Sequence, residues 1–156
     1  MLLIRSLLSW VLALGLIFVF LQATIHPLPN PPEGSVKLFD APGQNIVFAT
    51  MADRSGIALF EPAGRVAVAF SELFAALLLL VPWSRRFGAV ISFFVLSGAV
   101  GFHLSPWLGR EIPTGLEPGA ATDGGALFML AIAMLVVSIL LAMIHPGKRA
   151  REAGRS

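Results

Sequence analysis

The stretch Glu61–Pro82, EPAGRVAVAFSELFAALLLLVP, decides the fold class. From Val66 to Val81 it is long and apolar enough to form most of a bilayer-crossing helix, which takes about 20 residues, and its proline at position 62 suits a first helical turn. Glu72 lies at its centre, with Arg65 seven residues earlier and Glu61 four before that. An ionised side chain at mid-bilayer costs at least about 2.5–3.5 kcal/mol on the insertion scales, so an acid kept there marks a candidate site.

Working outward, apolar runs of similar length cover roughly residues 4–25, 60–82, 87–107 and 124–145. Each ends on helix-breaking chemistry: His26-Pro27, Pro82, Ser105-Pro106 and His145-Pro146-Gly147. The first run is too long for a signal-peptide core and lacks a small-x-small cleavage site after it, so it reads as a retained helix. The whole chain of 156 residues is 56% hydrophobic and 13% charged, a balance outside that of soluble domains. The prediction is a single all-α integral membrane domain over residues 1–156, a four-transmembrane-helix bundle.

Orientation follows the basic residues beside the helix ends. Arg5, Arg85, Arg86 and the tail residues Lys148, Arg149, Arg151 and Arg155 share one side, whereas Glu33, Asp40, Asp53, Glu61, Glu111, Glu117 and Asp123 collect on the other. Both termini, including the basic tail 146–156, are therefore expected in the cytoplasm of a bacterial inner membrane. The long first loop, residues 26–59, is then periplasmic. Its Pro-rich half (PLPNPPEG) should be extended with no packed core, and Asn45–Phe60 should hold a short interfacial helix. Ala67, Ser71 and Ala75 on the second span and Ser97 and Gly101 on the third are spaced for close helix contact, and those faces are expected to meet.

Several chemistries drop out. Without cysteine there is no thiolate nucleophile, disulfide exchange or cysteine metal site, and without tyrosine no phenol can carry a proton or radical. The net charge of +2 gathers at helix ends rather than in a basic stripe, which argues against a nucleic-acid partner. No nucleophile has a base at a usable spacing, and no cofactor fingerprint is present, so no catalytic constellation is found. The partners implied are the lipid bilayer and either a membrane protein or further copies of the chain.

At 1.5 Å per residue, Gln22, Arg65 and His103 each lie roughly 5 Å below the outer surface, with Asp123 near that level. With Glu61 above, they could form a polar ring at the mouth of the bundle. Glu72 would lie about 10 Å below Arg65, with only Ser97 or the backbone as a partner at that depth. Local readings compete with the ring. Glu61 and Arg65 form an i, i+4 pair worth about 0.2–0.5 kcal/mol in water, and Arg65 can snorkel outward. Asp123 before Gly124-Gly125 suits an N-cap, and His103 can simply hydrogen-bond a carbonyl. Glu72 has no such excuse. It is either a protonated acid that specifies helix packing, or a proton carrier, cation ligand or head-group anchor.

His26 and His103 raise a paired-histidine haem, but His26 precedes Pro27 at a frayed helix end, which disfavours it. The acids and His103 match no metal signature, so no metal is assigned.

Phe60-Glu61-Pro62 with Arg65, Glu72-Leu73 and the leucine block closing at Pro82, Gly88-Ala89, Gly98-Ala99 with His103-Leu104, and Asp123-Gly124-Gly125 together resemble the DoxX-like membrane proteins. The resemblance covers nearly the whole chain and implies a four-helix bundle in the bacterial inner membrane. It also implies importance for Arg65, Glu72 and His103. The family takes its name from subunits similar to those of a thiosulfate:quinone oxidoreductase, an activity for which this chain offers no thiosulfate-reactive group. The functions expected are an accessory or binding subunit of a quinone-linked membrane redox system, with a quinone as the candidate cofactor, or a small proton-coupled carrier that titrates Glu72.

Overall fold

The computed structural model describes residues 2–30 and 35–145. The basic tail and Glu33 fall outside the described residues. Four helices are long and apolar enough to cross a membrane: α1 (Leu2–Thr24), α3 (Ala63–Leu80), α4 (Arg85–Leu104) and α5 (Ala126–Ile144). The chain is a multi-pass membrane protein built as a four-helix bundle. A fifth, short helix, α2 (Ile46–Ser55), lies in the first loop, followed by a 3-10 turn at Ala58–Phe60. Around the bundle, α1 packs on α3 and α5, and α4 packs on the same two helices. The start of α1, the α3–α4 turn and the end of α5 share one end, called here the arginine end. The long loops and α2 occupy the other, the loop end.

The distribution of side chains is that of a bundle in lipid. Many buried positions in the spans are small or hydroxylic, among them Ala13, Ala75, Ala89, Ser92 and Ser138, while Leu7, Phe70, Phe87 and Met143 face outward. In hydrocarbon no hydrophobic force draws helices together, so small residues that permit close packing are the ones buried. Two of the buried hydroxyls are returned to their own helices: Ser92 donates to Gly88 O at 2.8 Å and Ser138 to Leu135 O at 2.7 Å. Trp83, 72% exposed at the arginine end, and Trp107 at the loop end stand where interfacial aromatics anchor a span.

The helix contact expected from small-residue spacing is displaced. Ala67 and Gly101 are exposed, and a Cβ on Gly101 would meet nothing within 4 Å. The close approach of α3 and α4 lies instead at Gly88, where a Cβ would come within 2.8 Å of the Leu79 amide nitrogen. The short turn at 81–84 sets this, because it holds the helices together beside itself.

The arginine end is fastened by a chain of polar contacts. Arg85 is almost completely buried, not the solvated connector residue that its place in a basic turn suggests. Its Nε donates to Leu79 O at 2.8 Å, its Nη1 donates to Ser9 Oγ at 3.3 Å, and its guanidinium lies 3.6 Å over the Trp10 ring. Ser9 Oγ is 2.7 Å from His145 Nδ1, and His145 Nε2 is 2.9 Å from Pro82 O. A carbonyl only accepts, so Nε2 carries the proton. In the neutral imidazole Nδ1 then accepts from the Ser9 hydroxyl, and the Ser9 oxygen accepts from Arg85. The sequence places His145 at a helix end far from any site, yet it joins α1, α5 and the α3–α4 turn.

Two apolar clusters stack along the bundle. One, toward the arginine end, comprises Ala13, Leu16, Phe20, Ala75, Ala76 and Leu79 with Ala89, Leu96 and Leu141. The other, at the loop end, is Val47, Phe48, Met51, Leu108 and Ile112, with Val36 packed against it. Past Gly34 the first loop joins this cluster through Val36; of the Pro-rich segment expected to be extended, residues 31–34 lie outside the described residues. Lys37 N–H and Leu38 N–H donate to Ala23 O and Thr24 O at 2.9 and 3.0 Å, which folds the loop back on the end of α1. α2 begins at Asn45, whose Oδ1 accepts the Phe48 N–H and whose Nδ2 donates to Ser35 O and Val36 O. It stops at Gly56, in the left-handed conformation at φ 72°.

Candidate functional site

Between the two clusters lies a cavity of about 500 Å³, within the range of small-molecule sites. Its roof is Val47, Phe48 and Met51 of α2 with Leu108, and its walls come from the loop-end halves of α1, α3, α4 and α5. Among the described residues the lining is aliphatic and aromatic apart from Gln22, Ser35, Ser71, Glu72 and His103, and no lysine or arginine takes part.

Glu72 lies on the buried stripe of α3 that also carries Arg65, Ala69, Ala76 and Leu79. It is 7% exposed, and its Oε2 is buried without a hydrogen-bond partner among the described residues. Ser97, the partner expected from depth, neither lines the cavity nor bonds to Glu72 among the described residues. The reason is helical phase. Leu96 and Ala99 of α4 line the cavity, and Ser97 is turned about 100° from Leu96, away from Ala99, onto a half-buried flank. Ser71, beside Glu72, lines the cavity but donates its hydroxyl to Ala67 O at 2.8 Å.

The expected polar ring is divided. His103 and Gln22 line the cavity, whereas Arg65, Glu61 and Asp123 do not. Arg65 does not snorkel; it is 1% exposed. Its Nε donates to both Glu61 oxygens at 3.1 and 3.0 Å, Nη1 to Lys37 O and Leu38 O at 2.8 Å each, and Nη2 to Asp40 O at 2.9 Å. Glu61 also accepts the Gly43 N–H at 3.1 Å. The pair clamps the first loop over the roof, and none of its charge is aimed at Glu72. The positions of the three carbonyls that engage Arg65 depend on how the loop folds, which pairwise spacing does not encode.

Asp123 is a loop brace. Its Oδ1 accepts from Ile112 N and Gly125 N at 3.0 and 2.9 Å, and its Oδ2 from Leu127 N at 2.9 Å. The residue directly before α5 is Gly125, at φ 81°, so the carboxylate serves the helix start from two residues further back. Partial burial pushes the Asp123 carboxyl up, but the amide bonds from Leu127, Gly125 and Ile112, with His103 nearby, outweigh it and hold the group below its ordinary value.

Gln22 spends both ends of its amide on Leu28, donating to its carbonyl at 3.0 Å and accepting its N–H at 3.1 Å. His103 is 97% buried; its Nδ1 lies 2.9 Å from Gly109 O and its ring lies 5.5 Å from that of Phe128, tilted by 44°. The Gly109 carbonyl accepts from Nδ1–H, which leaves Nε2 as the ring nitrogen without that partner. The antiparallel pairing of α3 and α4 sets His103 about ten residues, or roughly 15 Å, along the axis from Glu72. The cavity thus has a histidine ring near its roof and, among the described residues, an unpartnered carboxyl at its floor, with apolar walls between them.

No family model matches the chain, and no curated protein or solved structure matches it.

Proposed function

We propose that the chain binds a small neutral amphiphile of the bilayer in this cavity, as an accessory or binding subunit of a quinone-linked redox system in the bacterial inner membrane. The observation that carries the reading is the buried, unpartnered Oε2 of Glu72 on the floor of an otherwise apolar chamber. Native proteins rarely leave such an atom unsatisfied without a functional reason, and a ligand carbonyl or hydroxyl would satisfy it. The DoxX-like pattern around Glu72 supports the quinone class. The shared location of Arg5, Arg85 and Arg86 at one end supports cytoplasmic termini.

A benzoquinone with a ten-carbon chain tests the reading. At roughly a hundredfold excess over its dissociation constant it should stabilise the folded protein by about 2.7 kcal/mol and leave Glu72→Leu unaffected. If the unaltered protein gains nothing, the reading fails.

A proton-coupled carrier built on Glu72 is the second reading, favoured by the same buried carboxyl. The floor beneath it is closed by Ala75, Ala76 and Leu79 against Ala13 and Leu16, which ranks it behind binding. A pH-driven solute flux in liposomes that disappears in Glu72→Gln would reverse that order.

A further inference from the structure

α3 and α4 pack closely beside their turn: at Gly88 a Cβ would lie 2.8 Å from Leu79 N and 3.0 Å from Leu78 Cβ, whereas at Gly98, on another face of α4, it would meet nothing within 4 Å. Gly98 and Phe94 both line the cavity, yet both are exposed on the outside of the bundle, Phe94 by 67%. Half-buried Ser71 lines the cavity from the facing helix. Residues that line a chamber and also face outward mark a mouth. This one lies within the spans, flanked by the outward-facing rings of Phe70 and Phe74, and so opens onto hydrocarbon. The direction toward water is roofed by α2.

We infer that the cavity is loaded sideways from the bilayer, through the α3–α4 gap beside Ser71 and Gly98, by a neutral long-chain amphiphile whose hydrogen-bonding head reaches Glu72 while its chain trails between the two helices. The inference rests on the binding reading above and adds the route and the ligand chemistry. The head is neutral because no lysine or arginine lines the cavity. A phosphate or carboxylate would lose its hydration there without a counter-charge and would face another acid. A hydroxyl or carbonyl head can exchange a hydrogen bond with a carboxyl group in either direction. Gly98 is the lip residue without a side chain, so a large residue there would project into the mouth. Phe18 on α1 lines the cavity while 52% exposed and marks the competing route, on the far side of the bundle.

The test is photo-cross-linking of the full chain in phospholipid nanodiscs with a long-chain hydroquinone that carries a diazirine in its chain, the labelled residues being mapped by mass spectrometry. Labelling should centre on Ser71, Phe74 and Phe94. It should fall about ten-fold, equivalent to about 1.4 kcal/mol, in Gly98→Phe, which the open space at that position lets fold, and likewise in Ser71→Phe. Labelling confined to Phe18 and Met134 overturns the route and leaves the binding reading standing, as does α3–α4 labelling undiminished in both variants. If the unaltered protein shows no saturable labelling, binding and route fall together. Equal labelling by a phosphate-headed probe of the same chain length overturns the neutral head. Should both variants unfold, the map on the unaltered protein decides the route alone.

Discussion

Arg65 holds the Glu61 carboxylate at 3.0 Å and turns its other N–H groups to the carbonyls of Lys37, Leu38 and Asp40. Its charge is spent on the loop, and Glu72, two turns further along the same helix, is left without a counter-ion among the described residues. One stripe of α3 therefore carries a satisfied cation that builds the roof and an unsatisfied acid that lines the floor.

Arg65→Ala should detach the loop from the bundle. Removing one partner of a buried pair strands the other, at a cost of about 3–5 kcal/mol. Arg65→Lys should recover only part of this, because an ammonium cannot reproduce the planar fork. Limited proteolysis between residues 37 and 45 reads the detachment, and unchanged resistance in Arg65→Ala would contradict the clamp.

Glu72→Leu should stabilise the ligand-free protein while abolishing its response to ligand. An unsatisfied buried polar group costs about 1–3 kcal/mol, which an apolar side chain of similar length recovers. An acid that only specified helix packing would give the opposite sign. Unfolding in mixed detergent with and without the alkyl benzoquinone separates the two cases.

Gly88→Ala and Gly101→Ala should move stability in opposite directions. The first forces a methyl against the Leu79 backbone, a clash that overpacked sites pay for with about 1–3 kcal/mol. The second enters open space on a helix and should gain about 0.5–1 kcal/mol from backbone entropy. The same unfolding assay checks both, and equal effects would mean that Gly88 is not the close contact between α3 and α4.

The loop around Asp123 should loosen in acid. Its carboxyl has a folded value below the ordinary 3.8, so the stability it lends is full above that value and is lost as pH falls through the lower, folded one. Hydrogen exchange at Ile112, Gly125 and Leu127 should therefore accelerate below about pH 4 relative to the helix cores. Asp123→Asn should show the fast exchange already at neutral pH, and a flat profile in the unaltered chain would remove the carboxylate from the brace.

Much of the architecture was legible in the residues because its causes are local. Span length, proline stops and the apolar content of each run are properties of neighbouring residues, and the bilayer turns them into four helices with no further instruction. α2 was legible too: ten helical residues from Ile46 to Ser55 lie inside the interfacial helix expected over Asn45–Phe60. The small-residue stripes misled because Ala, Ser and Gly at four-residue spacing permit a contact without requiring one, and the turn at 81–84 decided where contact occurred.

By itself the sequence determined that the chain spans a membrane four times and that Glu72 is the charge lacking a local reason. Hydropathy and helix-breaking chemistry act over a few residues, so one dimension is enough to read them. Only the tertiary structure decided that Arg65 belongs to the loop, that Ser97 faces away from Glu72, that Ser9 and His145 meet across 136 positions, and that α2 roofs a chamber. Those outcomes depend on helical phase and on contacts between distant segments. The same residue types would have satisfied a different packing equally well.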